Sequence, residues 1–187
     1  MYTNSAYWHQ SRVDFKDKKH SLFVGSCGTY RLYTVKNLPT HRPRGRVDYQ
    51  LLYIASGKAH FYFNGKEQVV SAGNMVLYRP KEEQRYYYYG AEHPEVYWVH
   101  FTGNNVKNIL RKYGIADDVH VICSGISMEY KQLYQNMIQE LQLKQEDYEE
   151  LLVNYLRQLF ILIHRQHLTK PRKKNPMIMD DMAQAVE

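Results

Sequence analysis

The stretch from Tyr49 to Phe101 constrains the fold more than any other part of the chain. It reads YQLLYIASGKAHFYFNGKEQVVSAGNMVLYRPKEEQRYYYYGAEHPEVYWVHF, and short apolar or aromatic runs alternate in it with turn signals. Tyr49–Ala55 has the aromatic and aliphatic content of a strand, and Ser56-Gly57 ends it. Ala59–Phe63 and Lys66–Val70 flank Asn64-Gly65. That dipeptide tolerates the positive φ of a type I′ turn, so a two-residue hairpin is expected. Ala72-Gly73-Asn74 turns the chain again before Met75–Tyr78. Pro80 blocks a ladder position, and Lys81–Gln84 forms a polar loop. Arg85–Tyr89 and Glu95–Phe101 supply two further strands, parted by Gly90 and Pro94. Short strands at nearly even spacing point to an antiparallel barrel or sandwich rather than a βαβ sheet.

The segments on either side attach to this barrel. Met1 to Asp14 has no clear period and reads as an arm or a short first strand. Ser21–Ser26 and Thr29–Val35 look like strands split by Cys27-Gly28. Lys36–Gly45 holds two prolines, and Pro43 forces Arg42 out of the helical region, so Arg42 is expected on an extended loop. After the barrel, Asn104–Gly114 reads as a short helix and Val119–Cys123 as a short extended piece. From Ile126 the period turns helical, with Ile126, Tyr130, Leu133, Met137, Ile138 and Leu141 on one face and Ser124 or Ser127 as cap. A second helix starts near Asp147, its acidic first turn suited to the helix dipole. Its stripe is Tyr148, Leu151, Leu152, Tyr155, Leu156, Leu159 and Ile163, and Val153 and Phe160 add a second apolar edge. A helix with two apolar faces must bury both, and a second copy of the chain is the simplest cover. Val153, Leu156 and Phe160 are therefore the expected homodimer contacts. The resulting division is an arm over 1–20, a barrel over 21–103, helices over 104–168 with a hairpin over 126–168, and a basic linker with the start of a further helix over 169–187.

Composition narrows the class. The 187 residues suffice for one substantial core, and no apolar run approaches a membrane span. Cys27 and Cys123 are the only cysteines, which gives no disulfide framework and suggests a reducing, cytoplasmic setting. The net charge of +6 gathers near the end of the chain, at Arg165, Lys170, Arg172, Lys173 and Lys174, as in a solvated linker.

Catalytic and metal chemistry find little support. Small barrels of the cupin type often hold a metal on a His-x-His pair and a nearby Glu, but none of the nine histidines forms such a pair. No metal or other cofactor is expected. No nucleophile elbow, phosphate-binding glycine loop or acid–base pair is evident, so no enzyme is expected. Ligand binding fares better. Strand alternation puts Trp98 and His100 on one face of Trp98-Val99-His100-Phe101, with Val99 and Phe101 on the other. If Trp98 and His100 face the interior, a ring platform stands beside an imidazole, equipment suited to a sugar.

These residues together resemble the N-terminal effector domain of the arabinose-regulator (AraC) family of bacterial transcription factors. The resemblance runs through Arg42-Pro43-x-Gly45, Tyr49-x-Leu51-x-Tyr53-Ile54-x-x-Gly57, Asn64-Gly65, the Gly73-Asn74 turn, Pro80 and Tyr97-Trp98-Val99-His100-Phe101, in that order. It covers nearly the whole chain. It implies a mainly β fold with C-terminal helices: a metal-free, cupin-like jelly-roll barrel followed by an antiparallel helical hairpin used for dimerisation. It further implies a small-molecule effector, often a sugar, held by residues that fall on Arg42, Tyr86, Trp98 and His100, with a threonine contact near Thr29. A family histidine falls near Val96, which cannot hydrogen-bond through its side chain, so arabinose itself is not implied. The family's two helix-turn-helix units would follow Glu187, and DNA contact is expected only through them. A sugar enzyme working without metal and a dimerisation scaffold without ligand are the competing readings. A converging acid–base pair would favour the first, and a fully packed barrel the second.

Overall fold

Asn64 and Gly65 both take positive φ, 52° and 74°, and join β5 (Lys58–Phe63) to β6 (Lys66–Ser71). The rest of the barrel is nested outside this turn. β4 (Tyr49–Ser56) pairs with β7 (Asn74–Tyr78), β3 (Asn37–Arg42) with β8 (Gln84–Tyr89), and β2 (Phe23–Arg31) with β9 (Glu95–Thr102), all antiparallel. Nested pairs of this kind, folded over so that alternate pairs enter different sheets, make a cupin-like jelly roll. The computed structural model describes residues 1–9 and 14–169. β1 (Tyr2–Tyr7) and β10 (Val121–Cys123) extend one sheet, giving the orders β1-β2-β9-β4-β7-β10 and β3-β8-β5-β6. The expected basic linker and nascent helix after Thr169 lie outside the described residues.

Of the two readings of the first segment, an arm or a short first strand, the strand holds over Tyr2–Tyr7, paired in register from Tyr2 opposite Arg31 to Tyr7 opposite Ser26. Two expectations change. Cys27-Gly28 is no turn but the middle of one continuous strand. A Cβ on Gly28 would lie 2.4 Å from Cζ2 of Trp98, so glycine is there to admit the indole, not to bend the chain. Arg42 ends a strand rather than riding a loop. Pro39 is tolerated in that strand because β3 is an edge.

Two apolar layers hold the fold together. Between the sheets lie Leu52, Ile54, Phe61, Val76, Tyr78, Tyr86, Tyr88 and Trp98. On the other face of the large sheet, Leu51, Tyr53, Tyr97, Val99 and Phe101 meet the helices α1 (Val106–Lys112), α2 (Met128–Leu143) and α3 (Tyr148–Thr169). Ser127 caps α2, its hydroxyl accepting from the Glu129 amide at 3.1 Å. Ile126 lies ahead of that cap and is 73% exposed, so it leaves the buried face expected for it. A four-residue connection returns the chain into α3, and Gln158 donates back to Glu129 across the antiparallel pair.

The expected dimer contacts on α3 are also revised. Leu156 and Phe160 are fully buried inside the chain, and Val153 is half-buried against the same core. Phe160 sits edge-on to Phe101 at 5.7 Å and 5.9 Å from the ring of Tyr113. The Phe160 end of that second edge is thus covered by β9 and by the residue that follows α1, while Val153 stays half-buried.

Candidate functional site

Strand register decides what faces the space between the sheets. Trp98 lies opposite Gly28 and Leu52, and His100 opposite Ser26 and Gln50. Partners across a ladder point the same way, so Ser26, Gln50, Trp98 and His100 share the interior face of the large sheet. From the small sheet, Arg42 stands opposite Gln84, and Thr40 opposite Tyr86. Arg42, Tyr86, Trp98 and His100, expected from sequence as the ligand contacts, therefore come together.

Their contacts form one polar patch in an aromatic wall. Arg42 Nη1 donates to Gln84 Oε1 at 2.8 Å and to the Tyr86 hydroxyl at 3.4 Å. Gln50 Nε2 reaches the same hydroxyl at 3.4 Å. Ser26 Oγ and His100 Nδ1 are 2.8 Å apart. The Trp98 ring packs on His100 at 4.7 Å, on Tyr30 at 6.1 Å and on Tyr7 at 6.2 Å. Burial, then the charges of Arg46 and Arg42, holds His100 well below the ordinary imidazole range. A neutral imidazole offers one donor and one acceptor, and Ser26 uses one of them.

Much of the patch is unpaired. Gln50 Oε1, Gln84 Nε2, the hydroxyls of Tyr78 and Tyr88, Trp98 Nε1 and His100 Nε2 are buried and make no hydrogen bond. Leaving a buried polar group unsatisfied costs ~1–3 kcal/mol, so groups of this kind pair with water or with a guest. Chemically, the patch is a set of neutral donors and acceptors ready to pair with a polar guest, with ring faces for its apolar side. Beside it, Arg46 holds Asp48 through two bonds of 2.6 and 2.8 Å. Burial raises the Asp48 carboxyl above its usual range even though Arg46 pulls the other way.

Thr29 does not join this site. It pairs opposite Tyr97 and Asn4, and its side chain belongs to the helix side of the large sheet. Tyr7 and Trp8, adjacent in sequence, part company. Tyr7 meets Trp98, whereas Trp8 stacks on Phe15 at 5.4 Å and donates to Glu149 of α3. Gln50, Gln84 and Ser26 were not anticipated. A glutamine inside the apolar run Tyr49-Gln50-Leu51-Leu52 was the available signal for the first. Among the described residues, no three histidine, cysteine or carboxylate side chains converge in a way that could hold a metal.

No curated protein matches the chain in sequence. Among solved structures, apo ToxT from Vibrio cholerae is 17% identical over 79% of this chain and 55% of its own, with a TM-score of 0.45. Unsaturated fatty acid-bound wild-type ToxT gives 15%, 79%, 54% and 0.44. The EutQ protein of Clostridium difficile gives 11%, 43%, 57% and 0.32. The chain thus spans little more than half the length of these neighbours. A family model described as the AraC-like ligand binding domain matches residues 24–168, most of the barrel and both long helices, and the chain therefore belongs to that family.

Proposed function

We propose that the chain is the effector-sensing and dimerisation module of an AraC-type bacterial transcription regulator, working in the cytoplasm, and that its effector is a sugar held between the sheets. The observation that carries this reading is the convergence of six unpaired polar atoms on one aromatic-walled patch. Both donors and acceptors are among them, and the buried imidazole is neutral, which suits a polyhydroxylated guest, with Arg42 as the cation beside them. The Trp98 indole and the Tyr30 ring would face the C–H side of a sugar ring. Arg42 would add donors beside Gln84. Asp48 is locked by Arg46 and is not free to act as an acid or base, which favours binding over catalysis. DNA contact is assigned to the helix-turn-helix domain of the full-length regulator.

Calorimetric and tryptophan-fluorescence titration with a panel of pentoses and hexoses tests the sugar reading. One sugar should bind, and Gln50→Leu, Gln84→Leu and Arg42→Ala should each weaken it about tenfold, the loss of one hydrogen bond. Absence of binding across the panel, or unchanged affinity in all three variants, overturns it. Dimerisation is assigned to the outward stripe of α3, where Leu151, Tyr155 and Leu162 recur at helical spacing and remain partly or largely exposed. Light scattering should give twice the chain mass, and Leu151→Glu with Leu162→Glu should halve it. A monomeric parent chain refutes that part.

A further inference from the structure

We propose that the chain has a second ligand site, for a small monocarboxylate, on the opposite face of the large sheet between β1, β2 and α2. A cleft of about 340 Å³ lies there. Its floor consists of two cross-strand rows: Asn4, Thr29 and Tyr97 in one, Tyr2 and Arg31 in the next, where Glu95 stands opposite Arg31 outside the cleft lining. Gln135 and Ile138 of α2 form its roof, and the exposed Tyr33 ring its rim.

Two features define what it takes. Thr29 is 5% exposed, and its hydroxyl has no partner. Arg31 Nε, from the neighbouring row, is also buried and unpaired, while Nη2 is engaged by Glu95 at 2.6 Å. Two unpaired donors in adjacent rows suit an acceptor with two oxygens on a planar head. Charge points the same way. Glu95 is shared by Arg31, by Lys131 at 2.8 Å and by the Tyr97 hydroxyl at 2.8 Å, which leaves two cations facing one carboxylate. Burial alone would raise the Glu95 carboxyl, yet these bonds hold it below the usual range, so it stays ionised and the surplus is one positive charge. A monoanion balances that surplus and a dianion does not. The rings of Tyr2 and Tyr33 at the opening suit a flat apolar body on the same molecule.

The site shares no residue with the patch between the sheets, so either can fail alone. The test is NMR titration of the 187-residue chain with benzoate, with benzamide as its neutral counterpart and inorganic phosphate as the dianion. Benzoate should shift the Arg31 Nε–H signal and the amides of Asn4, Thr29 and Gln135 saturably, with benzamide and phosphate far weaker. Thr29→Val keeps the side-chain shape, and Arg31→Lys keeps the charge while removing Nε–H. Each should weaken benzoate about tenfold, with the β1 and β2 amide signals otherwise retained. Equal binding of benzamide, stronger binding of phosphate, or unchanged affinity in both variants overturns the site. Shifts confined to Gln50, Trp98 and His100 would also overturn it, while leaving the reading of the patch between the sheets intact.

Discussion

Gly28→Ala isolates the placement of Trp98. The new methyl group would sit 2.4 Å from Cζ2 and 2.7 Å from Cε2 of the indole, and 2.9 Å from Cβ of Ser5. Carbon atoms attract best at ~3.5–4.0 Å, so the ring must withdraw by about 1 Å. It cannot slide freely. Tyr30, His100 and Tyr7 pack against it at 6.1, 4.7 and 6.2 Å between centroids. Overpacking of this kind costs ~1–3 kcal/mol. For a chain of this size that corresponds to a melting-temperature drop of roughly 2–12 °C. The assay is thermal unfolding followed by circular dichroism, with indole emission as the local probe. Trp8 and Trp98 are the two tryptophans, so a Trp8→Phe background reports Trp98 alone. Gly28→Ala should lower the melting temperature and move the Trp98 emission maximum. A parental melting temperature together with unmoved emission would mean that the indole does not lie over β2, and the ligand site built on it would fall with that placement.

Other perturbations probe the remaining contacts. Phe160→Ala should cost ~3–5 kcal/mol in urea denaturation, because a fully buried ring against Phe101 and Tyr113 is lost; a cost below about 1 kcal/mol would put Phe160 back on the surface. His100 has a depressed folded-state pKa, through burial and then Arg46 and Arg42, so the unfolded chain binds its proton first. Its contribution to stability is intact above ~pH 6.5 and declines as pH falls below that value. His100→Gln should flatten the fall in melting temperature between roughly pH 6.5 and 5 relative to the parent, and parallel curves would contradict a buried neutral imidazole. Trp8→Phe keeps the stacking on Phe15 but removes the donor to Glu149, and should cost ~1.5–3 kcal/mol as a charge-assisted bond; no loss of stability in chemical denaturation would show that the bond contributes nothing.

The core of the barrel was legible because its signals are local. Asn64-Gly65 specified the central turn, and period-two alternation put Trp98 and His100 on one face. Cys27-Gly28 misled because glycine reads as a chain reversal in sequence. The cause of Gly28 is a ring arriving from β9, some seventy residues away, and no local pattern records that. Thr29 has another origin: it comes from the family resemblance, and the parity of the continuous strand excludes it, because Gly28 and Tyr30 on either side of it face inward. Helix α3 failed as Cys27-Gly28 did. Its two apolar faces were read correctly, but only the assembled sheet shows Phe101 and Tyr113 covering the Phe160 end of one of them.

The first strand would give a ligand bound in the proposed site a physical route to the helices. Consecutive residues in a strand point to opposite faces, so Tyr7 and Trp8 look into different layers. Tyr7 contacts Trp98 between the sheets, while Trp8 stacks on Phe15, meets Phe23 edge-on and bonds Glu149. The same strand is tied to the hairpin by Gln142 donating to Asn4 at 2.8 Å and Lys144 donating to the Trp8 carbonyl at 2.7 Å. A guest against Trp98 that displaced Tyr7 would shift the backbone that Trp8 and Asn4 share, and with it the footing of α2 and α3. Such a guest signals only to the extent that it binds one arrangement of β1 more tightly than another. A differential of ~1.4 kcal/mol, about one hydrogen bond to the patch, changes the ratio of two arrangements tenfold. The bonds that tie β1 to the hairpin are exposed, so a shift of that size would lie within the reach of a single small ligand, whereas moving the fully buried Phe160 edge of α3 would not.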